Sequence, residues 1–360
     1  MKLSRNSSDM LSQMELLGIA SILNEDDDID ESIVISWVNP RVMSVSTIHG
    51  ELEEDTVAAS IWKFKEQMVA VRDVLSKKIL IGGRNHSPLS PRISKSFTDK
   101  EWANYFLSRC EAIDSTASSI PLVTNLAGSL GYPCYWGHDR KGNPDFSNLD
   151  LGASVWEMSA RNSGSEFMIN KYIKLLDTIA PLTTDEIADR ISGRAVDSAG
   201  ETRNACGFRR PGSADVLLSW VAYQAISCFP TRPVVHGMFS CGSLSTGVIR
   251  EKSGRRSSML FVLPINQRPI TVERYLAICR CSSIYRLGRW LVQNSDQRSL
   301  LESTLPIEMR GDASWLLSHQ VDCIATYERY VGGSASCPEY WSLPGNIHAL
   351  PSTEHTHGRV

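Results

Sequence analysis

Two short runs of arginine and lysine around glycines carry the strongest chemical signal in this sequence. NACGFRRPGS presents Arg203, Arg209 and Arg210 near glycines and a proline, and IREKSGRRSS sets Arg250, Lys252, Arg255 and Arg256 about a glycine. Cationic groups held at a turn form charge-assisted bonds to phosphate oxygens, which position a nucleic-acid backbone without reading its sequence. A solvated hairpin or a cluster of ion pairs fits the same letters. In YRLGRW, Arg286 and Arg289 lie beside aromatic residues, a spacing that allows guanidinium stacking on a base and equally suits surface arginines beside a core. In WEMSARNSGSEFMINKY, Arg161, Asn162, Ser163 and Ser165 precede an apolar helix whose first amides favour an anion. Turn roles for Asn162 and Ser163 and an N-cap role for Ser165 are the simpler account. The expected nucleic-acid-binding set is therefore Arg161, Asn162, Arg203, Arg209, Arg210, Arg250, Lys252, Arg255, Arg256, Arg286 and Arg289. Trp156, Trp220 and Trp290 are expected to be packing anchors.

Catalytic chemistry has no comparable signal. IGGRN lacks both the G-x-G-x-x-G spacing and a Walker lysine–serine pair, and reads as a helix stop. The eight histidines form no H-E-x-x-H, and His348, His355 and His357 have neither cysteine partners nor a rigid element to hold a metal. HGMFSCGSLSTG is not a G-x-S-x-G elbow. Cys134 and His138 become a nucleophile and base only if the fold joins them. Glu53, Glu54 and Asp55 adjoin a helix start, where acidic groups suit the exposed amides. The expectation is no catalytic residue, no metal and no cofactor. Nine scattered cysteines without a CxxC suit reduced thiols in the cytoplasm.

The elements that must position these residues follow from the apolar pattern. The chain has 360 residues, 42% hydrophobic and 21% charged, enough for one large core or two domains and unlike a disordered or collagenous chain. The N-terminus lacks a secretory apolar stretch and no segment reaches 18 uninterrupted apolar residues, so a cytoplasmic protein without a membrane span is expected. The formal charge of -3 hides opposed regions: residues 1–60 hold 3 Lys/Arg against 12 Asp/Glu, and residues 203–289 hold 13 against 3. Helical spacing predicts an amphipathic helix over 11–23, one long helix over 55–80, and helices at FTDKEWANYFLSRCEAI, SEFMINKYIKLLDTIA, TTDEIADRIS, 214–228 and TVERYLAICRCSSIYRLGRWLV. Strands are predicted at SIVISWV, VVHGMFS, TGVIR and SMLFVLPI. The fold class is mixed α+β and helix-rich, with short antiparallel strands in the second half. The organisation expected is an acidic α+β region over 1–145, a basic α+β region over 146–341, and a flexible tail over 342–360.

The order of MELLGIASIL, WEMSARNSGSEF, SADVLLSWVAYQAISCFPTRP and SMLFVLPINQRPITVERYLAI resembles accessory or large-subunit proteins of type I CRISPR effector complexes, especially the divergent I-U/I-G branch. The resemblance touches about half of the chain. It implies a non-catalytic subunit of a ribonucleoprotein surveillance complex in antiviral defence, with guide RNA, target DNA and other effector subunits as partners. Arg161, Arg209, Arg210, Arg255 and Arg256 would supply backbone electrostatics while guide pairing supplies sequence discrimination. The acidic N-terminal region would then face a basic neighbouring subunit. A protein-interaction scaffold without nucleic-acid binding explains the same opposed charges, and a hydrolase would need Cys134, His138 or His236 to converge.

Overall fold

The computed structural model describes residues 1–81, 83–90, 98–131, 153–158, 167–195, 206–211, 214–236, 240–253, 256–294, 305–334 and 337–350. Its first sheet comes from β1 (Lys2–Ser4), β2 (Ile33–Asn39) and β3 (Val42–Thr47), with α1 (Met10–Leu23) between β1 and β2. Then follow α2 (Glu54–Ala70), α3 (Arg72–Leu75), the short strands β4 (Ile79–Ile81) and β5 (Arg84–His86), α4 (Asp99–Ala117) and α5 (Pro121–Leu130). A π turn at Met168–Tyr172 opens α6 (Ile173–Ile179), followed by α7 (Thr184–Ser192) and α8 (Val216–Gln224), which ends in a 3₁₀ turn. The remainder alternates strands and helices: β6 (Thr231–His236), β7 (Ser240–Ser245), β8 (Val248–Ser253), β9 (Arg256–Ile265), β10 (Ile270–Thr271), α9 (Val272–Arg280), α10 (Ser282–Gln293), α11 (Ile307–Ser318), β11 (Cys323–Ser334), β12 (Cys337–Ser342) and β13 (Asn346–Ala349). The fold is mixed α+β, dominated by helices, and most of its short antiparallel strands lie in the C-terminal half.

α1 is predicted amphipathic, but all fourteen of its residues are buried. Its polar groups find internal partners, as burial requires. Gln13 donates to the Ser7 carbonyl and accepts from Trp37 Nε1 at 3.0 Å, and Ser21 donates to the Leu17 carbonyl. Glu15 takes a bidentate pair of bonds from Arg5. Gly18 lets α8 come close, because a Cβ there would run into the Val221 carbonyl. On α8, Trp220 is fully buried and lies 5.7 Å from Phe64 of α2, centroid to centroid.

Two long predicted helices are each divided. Over 55–80, the helix ends at Val71, and Ile79–Ile81 pairs instead with Arg84–His86 across a turn in which Gly83 has φ +75°. Ile79 and Ile81 are buried while Leu80 is exposed, the alternation of a strand. IGGRN is thus a hairpin turn rather than a helix stop. Over 272–293, Cys281 takes extended dihedrals (φ -76°, ψ 139°) and separates α9 from α10. Part of the expected tail is ordered, since Asn346–Ala349 pairs with Thr326–Cys323 of β11 and His348 Nε2 meets Thr326 Oγ1 at 3.0 Å. Residues 351–360 lie outside the described set.

The acidic and basic stretches of sequence share one hydrophobic cluster. They also share a sheet, in which β10 pairs antiparallel with β2 through Ile270↔Ile35 and Thr271↔Val34. The second sheet has the order β12-β11-β9-β8, with β13 beside β11, and it carries the cationic run.

Candidate nucleic-acid interface

The β8–β9 ribbon is anchored at one end and basic at the other. At its base Val248 pairs with Phe261 and Ile249 with Leu260, and Ile249, Leu260 and Phe261 are buried. Trp156 stacks on Phe229 at 4.2 Å, lies 4.7 Å from Phe261, and donates through Nε1 to the Thr246 carbonyl at 2.8 Å. Gly247 (φ +81°) turns the chain into β8 where a Cβ would meet Trp156 Cζ2 at 2.7 Å, and its amide donates to Tyr285 of α10. Beyond this base the ladder continues through Arg250↔Met259, Glu251↔Ser258, Lys252↔Ser257 and Ser253↔Arg256. Three of the four cations expected about the glycine lie in the ladder. Gly254 and Arg255 lie outside the described residues.

A second ribbon rises from the same sheet. β9 and β11 pair from Ile265↔Cys323 to Leu260↔Glu328, and among the described residues that ladder goes no further. Past this point β9 stays with β8, while β11 stays with β12 from Arg329↔Ser342 to Ser334↔Cys337. The result is a fork of two ribbons on one base. The second prong is aromatic: Tyr330 stacks on its cross-strand partner Trp341 at 3.9 Å and 22°, and the Arg329 guanidinium sits 4.5 Å from the Tyr340 ring. Alternation places Tyr330 and Trp341 on one face and Arg329, Val331 and Tyr340 on the other. Tyr330 is 38% exposed and Val331 56%. The Tyr330 ring lies over Gly332, where a Cβ would meet its hydroxyl at 2.6 Å. None of these aromatics was singled out from sequence, although VGGSAS between strand-forming residues is a hairpin signal that would have found the ribbon.

The other expected cations divide by partner. Arg209 forms an ion pair with Asp9, the N-cap of α1, and Arg286 forms one with the buried Asp312 of α11. Both guanidinium groups thus hold carboxylates of the chain itself. Arg210 is exposed, and so is Arg289, which has an interaction of its own within the chain. The Gly207 carbonyl accepts from the Ser342 amide at 2.9 Å, which sets the Arg209–Arg210 segment at the foot of the aromatic ribbon. Arg161, Asn162 and Arg203 lie outside the described residues, as do Cys134 and His138; His236 ends β6.

Nearby, Arg5 joins Glu15 of α1 to the Ile191 carbonyl of α7, and Arg190 meets Asp215, the N-cap of α8, at 2.8 Å. Burial pushes the Glu15 carboxyl up, against the pull of Arg5. A separate cleft of about 500 Å³ over β2, β3 and the start of α9 contains His49, Glu51 and Arg274. Two of these are engaged, Glu51 by Lys2 at 2.5 Å and Arg274 with Gln320 at 3.2 Å. Among the described residues no three His, Cys, Asp or Glu side chains gather as a metal site, and no helix is long and apolar enough to cross a membrane.

No protein-family model, curated protein or solved structure matches the chain. The resemblance to CRISPR effector subunits rests on its four quoted segments. MELLGIASIL falls in α1, SADVLLSWVAYQAISCFPTRP spans α8 and its 3₁₀ turn, and SMLFVLPINQRPITVERYLAI runs from β9 into α9. Those elements build mainly the core, and only Ser258 and Met259 of the last segment reach into the β8–β9 ribbon.

Proposed function

We propose that this chain is a non-catalytic nucleic-acid-binding protein whose phosphate contacts come from the outer half of the β8–β9 ribbon. The observation that carries the reading is the register: within four successive ladder pairs the backbone assigns Arg250 and Lys252 to one face of the ribbon, and Glu251 and Arg256 to the other. Unbalanced cations at this density repel one another and are relieved by an anion laid along them. Exposed Arg210 adds a cation at the foot of the neighbouring ribbon. The segments that resemble CRISPR effector proteins favour a place in an RNA-guided complex, with guide RNA, target DNA and neighbouring subunits as partners. No cofactor enters this reading.

The test is binding of labelled 20-nucleotide single strands and a 20-base-pair duplex by the full chain, followed by fluorescence anisotropy over a range of salt. Affinity is expected to fall steeply with salt. Replacing Arg250, Lys252 and Arg256 together by Ala should flatten the log–log slope by about 2, the loss of up to three phosphate contacts. An unchanged slope and affinity would remove this ribbon from the interface. A scaffold role is the second reading, favoured by Phe106 and Leu107 of α4, which are 49% and 62% exposed. It gains if the chain binds none of these nucleic acids while Phe106→Ser with Leu107→Ser abolishes protein partners recovered from the native host.

A further inference from the structure

We infer that the β11–β12 ribbon is a stacking platform that makes the protein specific for single-stranded nucleic acid over duplex, a deepening that rests on the nucleic-acid reading of the neighbouring β8–β9 ribbon. The geometry has three parts. First, the fork separates two kinds of surface that start from one ladder end at Leu260↔Glu328: cations on β8–β9, aromatic rings on β11–β12. A phosphate backbone and a row of unpaired bases need those two surfaces side by side, because charge holds the backbone and ring faces hold the bases. In a duplex the ring faces of the bases are turned inward against one another, so an aromatic prong finds nothing to stack on.

Second, the rings are set for stacking. Tyr330 and Trp341 lie nearly parallel at 3.9 Å, and the Arg329 guanidinium lies over the Tyr340 ring at 4.5 Å on the opposite face. Each ring is already oriented by its cross-strand partner, so little side-chain freedom is lost when a base is added to the stack. A cross-strand aromatic pair also steadies a hairpin. That role alone does not call for the exposure of Tyr330 or of Val331, nor for a glycine at 332 that leaves the Tyr330 ring lying along the strand.

Third, the charge distribution gives the strand a side. Within the described ladder the β8–β9 prong has Arg250, Lys252 and Arg256 against Glu251, whereas the β11–β12 prong has Arg329 against Glu339. Phosphates belong on the first and bases on the second.

The experiment compares four probes on the full chain by anisotropy: an unstructured 20-nucleotide RNA, the DNA of the same sequence, and the duplex of each. Wild type is expected to bind the RNA strand at least about 10-fold tighter than either duplex, in line with one or two stacked bases. Tyr330→Ala with Trp341→Ala should lose about 10-fold on the RNA strand, leave duplex binding as it was, and keep the salt slope, since no phosphate contact is removed. Tyr330→Phe should retain wild-type binding. Tyr330→Leu keeps an apolar cover on Trp341 and removes the flat ring; it should lose affinity without a change in melting temperature, which guards against a hairpin that has merely unfolded. Equal loss on strand and duplex, or no loss in a folded Tyr330→Leu chain, overturns the stacking platform. If wild type binds none of the four probes, the failure is of the nucleic-acid reading itself, whereas salt-sensitive duplex binding with no effect at Tyr330 leaves that reading standing and removes only this one.

Discussion

Arg209 and Arg286 close ion pairs with Asp9 and Asp312, while Arg210, one residue on from Arg209, stays exposed. Nothing in FRR or YRLGR tells these cases apart, because the deciding carboxylate lies 200 residues away for Arg209 and 26 for Arg286. Composition marks where cations gather; the fold decides which remain for a ligand. Burial of large side chains was easier to foresee. Trp220 is expected to be an anchor from its place in an apolar helical run, and it is fully buried against Phe64 and Tyr172. Trp220→Ala should therefore lower stability by about 3–5 kcal/mol, measured by urea unfolding of the full chain. A change within about 0.5 kcal/mol would mean that the site collapses around the gap or that this helix contributes little.

At the scale of elements, the close crossing of α1 and α8 depends on Gly18, whose missing side chain leaves room for the Val221 carbonyl. Gly18→Val must push the helices apart or distort one of them, and a loss of about 1–3 kcal/mol or more in urea unfolding is expected. Wild-type stability in that variant would show that the crossing tolerates a wider spacing. Helix positions were legible wherever capping and periodicity agree: α4 and α7 begin in capping boxes, Thr98 with Glu101 and Thr183 with Glu186. Breaks within long apolar runs were not. The periodic pattern runs on through Val71 and Cys281, and only the pairing of Ile79–Ile81 with β5 and the extended backbone of Cys281 end those helices. The strands of the β8–β9 ribbon were legible, since TGVIR and SMLFVLPI have strand composition on either side of IREKSGRRSS. The aromatic prong was not, because its meaning comes from a ladder that β9 and β11 abandon partway, a fact of the sheet and not of either strand.

Over the whole molecule, part of the acidity of the N-terminal region is answered inside the fold: Lys63 holds Asp26 and Asp28, and Arg194 holds Glu54. Two carboxyls outside that region give stability an acid limb. Hydrogen bonding from Arg72 holds Asp177 below the usual range, and the Thr183 amide and hydroxyl do the same for Glu186. Their folded values lie below the unfolded ones, so the stability they add is fully present above the ordinary carboxylate range and is lost as pH falls through the lowered values. Glu15, raised by burial, works in the opposite sense. Glu186→Gln keeps the geometry of the capping box without the titration. Its stability deficit, measured in urea, should be clear at neutral pH and vanish in strong acid; a deficit independent of pH would locate the effect in packing. The burial of α1 has a last consequence, in time. Its closest partner, α8, begins about 200 residues after it, so at the usual pace of synthesis the apolar surface that α8 covers waits about 10–40 s for it to emerge. During translation this helix is the segment most in need of a chaperone, and the second half of the chain is what releases it.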